Sequence, residues 1–379
     1  MIYLDNAATS FPKPESVYQA LDRFARQDLA NPGRAGHKMA LAAERALDDA
    51  RHLLNQFFHG EGPERFVFTL NCTDALNMAF KGVLAEGDHV ITSDLEHNSV
   101  SRPLRGMELA GRITLTRVRA DGGGTIDPDA IRRAVTPRTR LIALTHGSNV
   151  LGTVQPVAAA GRIARERDLL FMVDAAQTAG LVAIDVQRMA IDLLALPGHK
   201  SLLGPTGTGA MYVGPRAAVK AWREGGTGGD SSSETQPHEY PYFLEGGTPN
   251  VLGVAGLAAG IRYVQEHGID RIRAHEVALA ERLWRRLDEI GSYEVFGHRD
   301  GERRVGTLSF RHASVAAAEL GGILDQAFDV AVRPGLHCAP YIHRALGTFP
   351  EGTVRVSAGP FNTEADIDHL ARALAEIAA

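Results

Sequence analysis

The stretch that decides the fold is 169–200, which reads LLFMVDAAQTAGLVAIDVQRMAIDLLALPGHK. It contains two short apolar runs, 169–173 and 193–195, and each is typical of a fully buried strand. Polar residues follow both runs: Asp174 comes after the first and Lys200 after the second. Because open α/β sheets bind ligands beyond the carboxyl ends of their strands, this stretch predicts a parallel sheet with a site at that edge.

The same alternation of short β-branched runs and helical patterns extends over residues 65–215. It predicts βαβ units, with a mostly parallel sheet and helices on both of its faces. Five further strand candidates lie at 66–68, 89–91, 113–115, 141–144 and 210–213, and the helical stretches between the strands include 75–84, 127–134 and 157–167. We therefore expect a seven-stranded sheet.

A smaller unit is predicted after this sheet. The segment 224–250 is rich in Gly, Ser, Thr and Pro, and periodic structure resumes on both sides, so we interpret it as a functional loop and not as a linker. Beyond it, helices at 254–267 and 271–290, strands near 305–310 and 354–356 and a helix at 363–377 predict an α+β domain. We assign 15–250 to a large α/β domain, and 1–14 with 251–379 to the small domain that carries the second cysteine.

The composition excludes several classes of protein. A length of 379 residues predicts two domains, and 44% hydrophobic with 22% charged residues is typical of a globular protein. No stretch approaches the ~18 apolar residues of a membrane span, and a net charge of -5 argues against a nucleic-acid binder. The N-terminus lacks a secretory signal pattern, so we expect a cytoplasmic protein. Cys72 and Cys338 match neither a disulfide framework nor a metal site.

Polar side chains follow five of the predicted strands, at the point where each strand ends. They are Thr73, His97, Asn149, Asp174 and Lys200. The carboxyl ends of parallel strands share one edge of a sheet, so we expect these residues to meet in one crevice. Together they supply an amine, a carboxylate, an imidazole, an amide and a hydroxyl. Taken singly, Asp174 and Thr73 have the simpler explanation of a helix N-cap.

Lys200 has the most unusual setting of the lysines. Of the 40 cationic side chains 35 are Arg, whose guanidinium stays protonated, so five side chains remain that can act as a nucleophilic amine. Lys13, Lys38, Lys81 and Lys220 lie in terminal or helical patterns, and we expect them to be exposed. Lys200 instead follows a buried strand within a glycine-rich loop, where the backbone can approach a ligand closely.

Thr73 is the best candidate for an anion site. It opens a helix directly after a strand, where free N–H groups and the helix dipole favour an anion. The chain has neither a P-loop nor a complete G-x-G-x-x-G motif, which argues against a nucleotide.

The second cysteine lies in the sequence VRPGLHCAP at 332–340. Structural cysteines are usually buried in apolar surroundings, so this Gly/Pro loop favours a reactive Cys338. We expect His337 and Arg333 to lower its pKa by stabilising the thiolate. Arg355, on a later predicted strand, is a candidate for binding a substrate carboxylate, and a surface or interdomain ion pair is the alternative.

In order and spacing these segments resemble the class V aminotransferases, a family of pyridoxal 5'-phosphate (PLP) enzymes that includes the cysteine desulfurases. The resemblance covers almost the whole chain. Its segments are YLDNAAT at 3–9, CTDALN at 72–77, EHN at 96–98, SNVLG at 148–152, VDAAQ at 173–177, GHK at 198–200, GGTPN at 246–250, LHCA at 336–339 and VRVS at 354–357. It implies the aspartate aminotransferase-like fold type I, PLP as cofactor, no metal, and a homodimer.

The resemblance also implies a role for each matching residue. Lys200 holds PLP as a Schiff base and then removes the substrate proton, and Asp174 pairs with the ring nitrogen. His97 stacks on the ring and, as a catalytic residue beside Lys200 and Cys338, helps to transfer protons. The other cofactor-binding residues are Cys72, Thr73, Asn149, Gln177, His199 and, from a second subunit, Thr248. The substrate-binding residues are Ala7, Arg34, Asn149, Arg333 and Arg355.

The implied reaction converts L-cysteine to L-alanine. Cys338 takes the substrate sulfur as a persulfide, and a separate acceptor protein removes it, for example towards iron–sulfur cluster assembly. The short interval from Cys338 to Arg355 resembles the group with a short cysteine loop, so we expect slow turnover without a thiol reductant or an acceptor. Two positions depart from the family pattern: Pro197 replaces a common hydroxyl donor to the phosphate, and Leu336 replaces a common second histidine, which leaves the preference for cysteine over selenocysteine open.

Two other interpretations stay open. A selenocysteine lyase, a cysteine sulfinate desulfinase, or an aminotransferase or epimerase acting on a larger amine would share the cofactor residues. Selenide and sulfinate leave more readily than sulfide, so the first two activities should survive the loss of Cys338. A binding protein without turnover is the second alternative, and the joint presence of the residues above argues against it. We interpret Cys72 as a packing residue and not as a second sulfur relay.

Overall fold

The computed structural model describes residues 1–33, 36–228 and 232–379. Within them the elements are, in chain order, β1 (Ile2–Tyr3), α1 (Glu15–Gln27), α2 (Lys38–Phe58), β2 (Phe66–Thr69), α3 (Cys72–Val83), β3 (Asp88–Ser93), α4 (Asn98–Leu109), β4 (Ile113–Val118), α5 (Pro128–Ala134), β5 (Thr139–Thr145), α6 (Val157–Glu166), β6 (Leu170–Asp174), β7 (Leu193–Pro197), β8 (Gly209–Val213), α7 (Val251–His267), α8 (Ile269–Ile290), β9 (Tyr293–Phe296), β10 (Thr307–His312), α9 (Ala317–Phe328), β11 (Val330–Ala331), β12 (Arg333–Gly335), α10 (Pro340–Ala345), β13 (Thr353–Ser357) and α11 (Glu364–Ala378).

Seven strands form the central sheet, in the order β2-β8-β7-β6-β5-β3-β4. Neighbouring strands are parallel except at β8, which runs antiparallel to both β2 and β7. This arrangement confirms the predicted seven-stranded, mostly parallel sheet. The order places β5, β6 and β7 at its centre, so the residues that follow these three strands lie side by side.

Both faces of the central sheet are buried, as a parallel sheet requires. Alternate residues of β6 point into different cores: Phe171 and Val173 into one, Leu170 and Met172 into the other. Helices α2, α6 and α7 complete the first core, while α3 and α4 complete the second. Burial on both faces explains why β6 is a continuous apolar run in the sequence.

A second sheet, antiparallel and in the order β12-β13-β10-β9, forms the predicted α+β unit. Helices α8, α9 and α11 cover it, and β1 joins this part of the chain by pairing in parallel with β11. Helix α7 instead packs against α1 and α2 and belongs to a core of the central sheet. The domain boundary at residue 250 stays a prediction.

The described part of the loop at 224–250 contains neither helix nor strand, as its composition predicts. Glu245 anchors it to the large sheet, because its carboxylate lies 2.5 Å from Arg51 Nη2 and accepts the Phe68 N–H at 2.6 Å. Among the described helices none is both long and apolar enough to cross a membrane.

Candidate active site

A cavity of about 210 Å³ lies at the carboxyl ends of the central strands, beside the first turns of α3 and α4. Eleven of the fourteen site residues predicted from the sequence line it, namely Ala7, Cys72, Thr73, His97, Asn149, Asp174, Gln177, His199, Lys200, Arg333 and Arg355. The structure therefore brings most of the predicted crevice together in one space.

The other three predicted residues lie elsewhere. Cys338 is half-buried and is not among the residues that line the cavity, although its neighbour His337 is. Thr248 lines two other clefts of this chain, so its contact with a cofactor across a subunit interface stays a prediction. Arg34 lies outside the described residues.

Lys200 is half-buried and lines the cavity. It lies three residues after the end of β7, in the loop predicted to carry it. Burial and the charge of Arg355 lower the pKa of its amine to about 8, against an opposing effect from Asp174. Because the amine is partly uncharged near neutral pH, it can act as a nucleophile and as a base.

The N-terminal segment forms hydrogen bonds with the backbone next to Lys200. The carbonyl oxygen of His199 accepts hydrogen bonds from Thr9 Oγ1 at 3.1 Å and from Lys13 Nζ at 2.8 Å. Ser10 Oγ donates to the Lys200 carbonyl at 2.9 Å. The expectation of an exposed Lys13 was wrong: its ammonium is held against the active-site loop, and burial lowers its pKa to about 8.

Asp174 ends β6 and is fully buried. Its Oδ1 accepts the Ala176 N–H at 2.9 Å and lies 3.5 Å from Cys72 Sγ. Burial raises the pKa of the carboxyl, and the Lys200 charge opposes that effect. Among the described residues nothing bonds Oδ2, so this oxygen can accept from a cationic ring nitrogen.

Cys72 supports Asp174 and is a poor sulfur nucleophile. Burial, followed by the charge of Asp174, raises the pKa of its thiol well above the ordinary value. A protonated thiol attacks sulfur far more slowly than a thiolate, which supports its interpretation as a packing residue.

His97 contributes a neutral ring to the cavity. It caps the N-terminus of α4, and its Nδ1 accepts the Ser99 N–H at 3.1 Å, so Nε2 carries the proton. Burial and the charge of Lys200 lower its pKa to about 4. An uncharged aromatic face can stack on a planar cofactor.

The start of α3 is the candidate anion site. Asn71 caps the helix by accepting the Asp74 N–H at 2.9 Å, and Thr73 Oγ1 lies 2.7 Å from Ser99 Oγ. The ring of His199 also lines the cavity, and its buried Nδ1 has no partner among the described residues. A helix N-terminus, two hydroxyls and a free ring nitrogen are suitable donors for a phosphate.

The Cys338 loop contacts this site, and its residues Arg333 and His337 line the cavity. Asn149 Nδ2 donates to the His337 carbonyl at 2.6 Å, and the Asn98 N–H donates to the Cys338 carbonyl at 2.6 Å. Arg333 Nη2 lies 3.9 Å from Cys338 Sγ, so a guanidinium adjoins the sulfur, and stabilisation of a thiolate there stays a prediction.

The expectation that His337 also stabilises the thiolate was wrong. Burial and the charge of Arg355 lower the pKa of His337 to about 2, so its ring is neutral. Its Nε2 lies 2.9 Å from the Arg333 carbonyl oxygen, and within the described residues no hydrogen bond joins the ring to Cys338 Sγ.

Arg355 is buried on β13 and faces the cavity. Its Nη2 lies 2.6 Å from Asp5 Oδ1 and its Nη1 donates to the Asn149 carbonyl at 3.0 Å, while the buried Nε has no partner among the described residues. The guanidinium therefore forms an ion pair and also lines the cavity, and binding of a substrate carboxylate stays a prediction.

Sequence reasoning missed Asp5, Lys13 and Glu96. Glu96 is fully buried, accepts from Ser93 Oγ at 2.6 Å and from the Thr145 N–H, and has its pKa raised by burial to about 8. The only signals were the segments YLDNAAT and EHN, which matched a family pattern without revealing these contacts. No group of three or more metal-ligating side chains occurs in the described part of the chain.

Comparison with known proteins gives consistent results. A family model described as aminotransferase class-V matches residues 2–370. A probable cysteine desulfurase from Methanothermobacter thermautotrophicus is 37% identical, over 100% of this chain and 94% of that relative. One from Halalkalibacterium halodurans is 34% identical, over 99% of this chain and 92% of that relative.

Solved structures agree. The apo structure of a cysteine desulfurase from Thermococcus onnurineus has a TM-score of 0.93 at 31% identity, covering 99% of this chain and 94% of that chain. The cysteine desulfurase CsdA from Escherichia coli has a TM-score of 0.89 at 30% identity, also covering 99% of this chain and 94% of that chain.

Proposed function

The chain belongs to the class-V aminotransferase family, and on that premise we propose that it is a PLP-dependent cysteine desulfurase that forms a persulfide on Cys338. The observation that carries this proposal is the docking of the Cys338 loop on the Lys200 cavity. Asn149 and Asn98 bind the backbone of residues 337 and 338 at 2.6 Å each. A cysteine is therefore held next to two residues, Arg333 and His337, that line an amine-containing cavity.

The side chains in the cavity fit PLP. Lys200 offers an amine with a pKa of about 8 for the aldehyde carbon, and Asp174 offers an oxygen for the protonated ring nitrogen. The start of α3 with Thr73, together with the unpartnered Nδ1 of His199, offers donors for the phosphate. Ser201, which could replace the hydroxyl absent at Pro197, lines a different small cavity. When bound, PLP supplies an electron sink for the carbanion that forms at Cα.

Binding of the substrate is assigned to the arginines. Arg355 is enclosed at the cavity wall, and a guanidinium pairs with a carboxylate through two parallel hydrogen bonds. Its bonds to Asp5 and Asn149 hold it in place before the substrate arrives. Lys200 Nζ takes the proton from Cα of the bound cysteine, which requires the uncharged amine.

Sulfur transfer is assigned to Cys338. Its thiolate attacks the substrate sulfur: an S–S bond forms, the substrate Cβ–S bond breaks, and the electron pair of that bond stays with the carbon fragment. That fragment takes up protons and leaves as L-alanine, so L-cysteine and a thiol give L-alanine and a persulfide. No external oxidant or reductant is needed for this half-reaction.

A homodimer and an acceptor protein complete the proposal. In the family pattern Thr248 reaches the phosphate of a second subunit, and here it lines clefts outside the Lys200 cavity of its own chain. The acceptor removes the outer sulfur of the Cys338 persulfide.

The test compares Cys338→Ala with Cys72→Ser. Alanine release from L-cysteine should fall at least about 100-fold in Cys338→Ala and stay within a few-fold of wild type in Cys72→Ser. Retained release in Cys338→Ala would remove the persulfide from the mechanism. Retained release from selenocysteine alone, with no reaction of L-cysteine in the wild type, would assign a selenocysteine lyase instead.

A further inference from the structure

Two buried histidines lie close to Cys338: one precedes it in the loop, and the other follows on the next helix. His337 is 4% exposed and His343, on α10, is 0% exposed. Nδ1 of His337 lies 3.4 Å from Nε2 of His343, and Nδ1 of His343 lies 2.8 Å from Thr348 Oγ1. None of these three side chains has a role in the mechanism above.

The hydrogen bonds determine which ring nitrogens carry protons. Nε2 of His337 lies 2.9 Å from the Arg333 carbonyl oxygen, which can only accept, so this nitrogen is the donor. Nδ1 of a neutral His337 can then only accept, and the ring nitrogen next to it is His343 Nε2 at 3.4 Å; the His343 ring also bonds the Leu336 carbonyl. His343 Nδ1 is left to accept from the Thr348 hydroxyl. Burial lowers the pKa of His337 to about 2 and that of His343 to about 4, so both rings are neutral near pH 7.

We call the hydrogen bonds from Thr348 through His343 to His337 the histidine relay. It ends at residues 337 and 338, whose backbone has a conformation that few residues other than glycine adopt. φ is 48° at His337 and 56° at Cys338, both in the left-handed region. Asn149 and Asn98 hold the two carbonyl groups of this segment. The His337 ring holds it from a third direction, through the Arg333 carbonyl and through α10.

The His337 ring also contacts Arg333, the residue whose guanidinium lies next to the Cys338 sulfur. Arg333 supplies the carbonyl that His337 binds, and its Nη2 lies 3.9 Å from Cys338 Sγ. A change in the orientation of the His337 ring would therefore move both the thiolate and the guanidinium that stabilises it.

We propose that His343, supported by Thr348, is a positioning residue that fixes the tautomer and orientation of His337 and so sets where Cys338 presents its sulfur. This inference rests on the proposed function, because a position for the sulfur matters only if Cys338 accepts sulfur from the substrate. It does not concern the cofactor cavity, which His343 does not line.

The test uses three substitutions in the holoenzyme. His343→Phe keeps an aromatic ring and removes both nitrogens, whereas His343→Gln keeps an N–H donor near the Nε2 position. The matched control is His89→Phe. His89 is also buried, with its ring nitrogens 2.8 Å and 2.9 Å from the hydroxyls of Thr139 and Thr116, but it lies near the amino end of β3, opposite the site.

Three measurements separate positioning from general damage. The first is the single-turnover rate of persulfide formation on Cys338 from L-cysteine. The second is exchange of the Cα hydrogen of L-alanine with deuterium from solvent, which needs Lys200 and not Cys338. The third is amide hydrogen exchange of residues 333–338 in the absence of substrate, which does not depend on catalysis.

His343→Phe should slow persulfide formation by about 100-fold, the loss typical of a misplacement near 1 Å. Amide exchange at 333–338 should become at least about tenfold faster, while Cα exchange stays within about twofold. His343→Gln should recover most of the persulfide rate, and His89→Phe should leave all three measurements close to wild type.

Other results overturn the inference. If His343→Phe matches His89→Phe, or slows Cα exchange as much as persulfide formation without rescue by Gln, His343 has no positioning role. If His343→Phe does not fold, Thr348→Val decides by the same measurements, with an expected loss of about tenfold. If the wild type forms no persulfide, the proposed function fails, whereas unchanged amide exchange in His343→Phe would refute the relay alone.

Discussion

Asp5 Oδ1 lies 2.6 Å from Arg355 Nη2, and this ion pair links the N-terminal segment to the cavity that holds Lys200. Asp5 follows β1 and its side chain is 20% exposed, while that of Arg355 is 2% exposed. The first residues of the chain therefore form part of the site, although they are more than 300 residues away from Arg355 in sequence.

Arg355→Lys should raise the KM for L-cysteine by about tenfold or more and change kcat less. An ammonium cannot hold Asp5, the Asn149 carbonyl and a substrate carboxylate with the fixed fork of a guanidinium. Arg311→Lys is the control, because Arg311 lies on the neighbouring strand β10 in an exposed pair with Glu294. An unchanged KM in Arg355→Lys would leave Arg355 with a structural role alone, through its bonds to Asp5 and to the Asn149 carbonyl.

Lys13→Met should weaken PLP retention. The substitution removes the donors to Ser10 Oγ at 2.6 Å and to the His199 carbonyl at 2.8 Å, next to the lysine that holds the cofactor. We expect about a tenfold faster loss of PLP during dialysis, followed by the visible absorbance, because one charged hydrogen-bond donor is lost. Lys38→Met, at the exposed start of α2, is the control and should retain PLP like the wild type.

The rate at which the apoprotein takes up PLP should rise with pH, with a midpoint near pH 8. Burial lowers the pKa of Lys200 to about 8, so the ammonium predominates below that pH and the free amine above it. Stopped-flow absorbance between pH 6 and pH 9.5 measures this profile. Uptake that increases as the pH falls, or a midpoint near the ordinary lysine pKa, would contradict the environment described for Lys200.

Glu96→Gln should stabilise the protein at pH 8 relative to wild type, and much less at pH 5. The folded-state pKa of Glu96 is raised to about 8, so the folded protein holds a proton there that the unfolded chain releases above about 4.5. Wild-type stability is consequently lost as the pH rises through this window, whereas a glutamine does not titrate. Urea unfolding should show a difference that grows by about 2–4 kcal/mol from pH 5 to pH 8.

The central sheet and most of the cavity could be predicted because their signals are local. In β6 an apolar run is followed by Asp174, and in β7 an apolar run is followed by Lys200. Within a few residues each pattern indicates a buried strand, the edge of the sheet where it ends and the functional group placed there. The predicted start of α3 was three residues late because Asn71, an ordinary polar residue in the sequence, caps the helix and draws Cys72 into its first turn.

Contacts between distant parts of the chain could not be predicted in this way. The Lys13 ammonium donates a hydrogen bond to the His199 carbonyl, although the two residues are 186 positions apart in sequence. Neither residue lies in a local pattern that identifies the other. His343 follows His337 by six residues, on a six-residue helix whose pattern gives no sign of that ring. The first contact depends on tertiary packing and the second on the conformation of a loop, which periodicity and strand-end rules do not describe.

The most direct test of the proposed function is mass spectrometry of the PLP-loaded protein after incubation with L-cysteine alone, with released alanine measured in parallel. We predict one added sulfur, located on Cys338, and one alanine per subunit, followed by slow turnover until a thiol reductant or an acceptor protein is added. PLP-loaded protein that gains no sulfur and releases no alanine would contradict the desulfurase assignment, and sulfur found on Cys72 instead of Cys338 would contradict the mechanism.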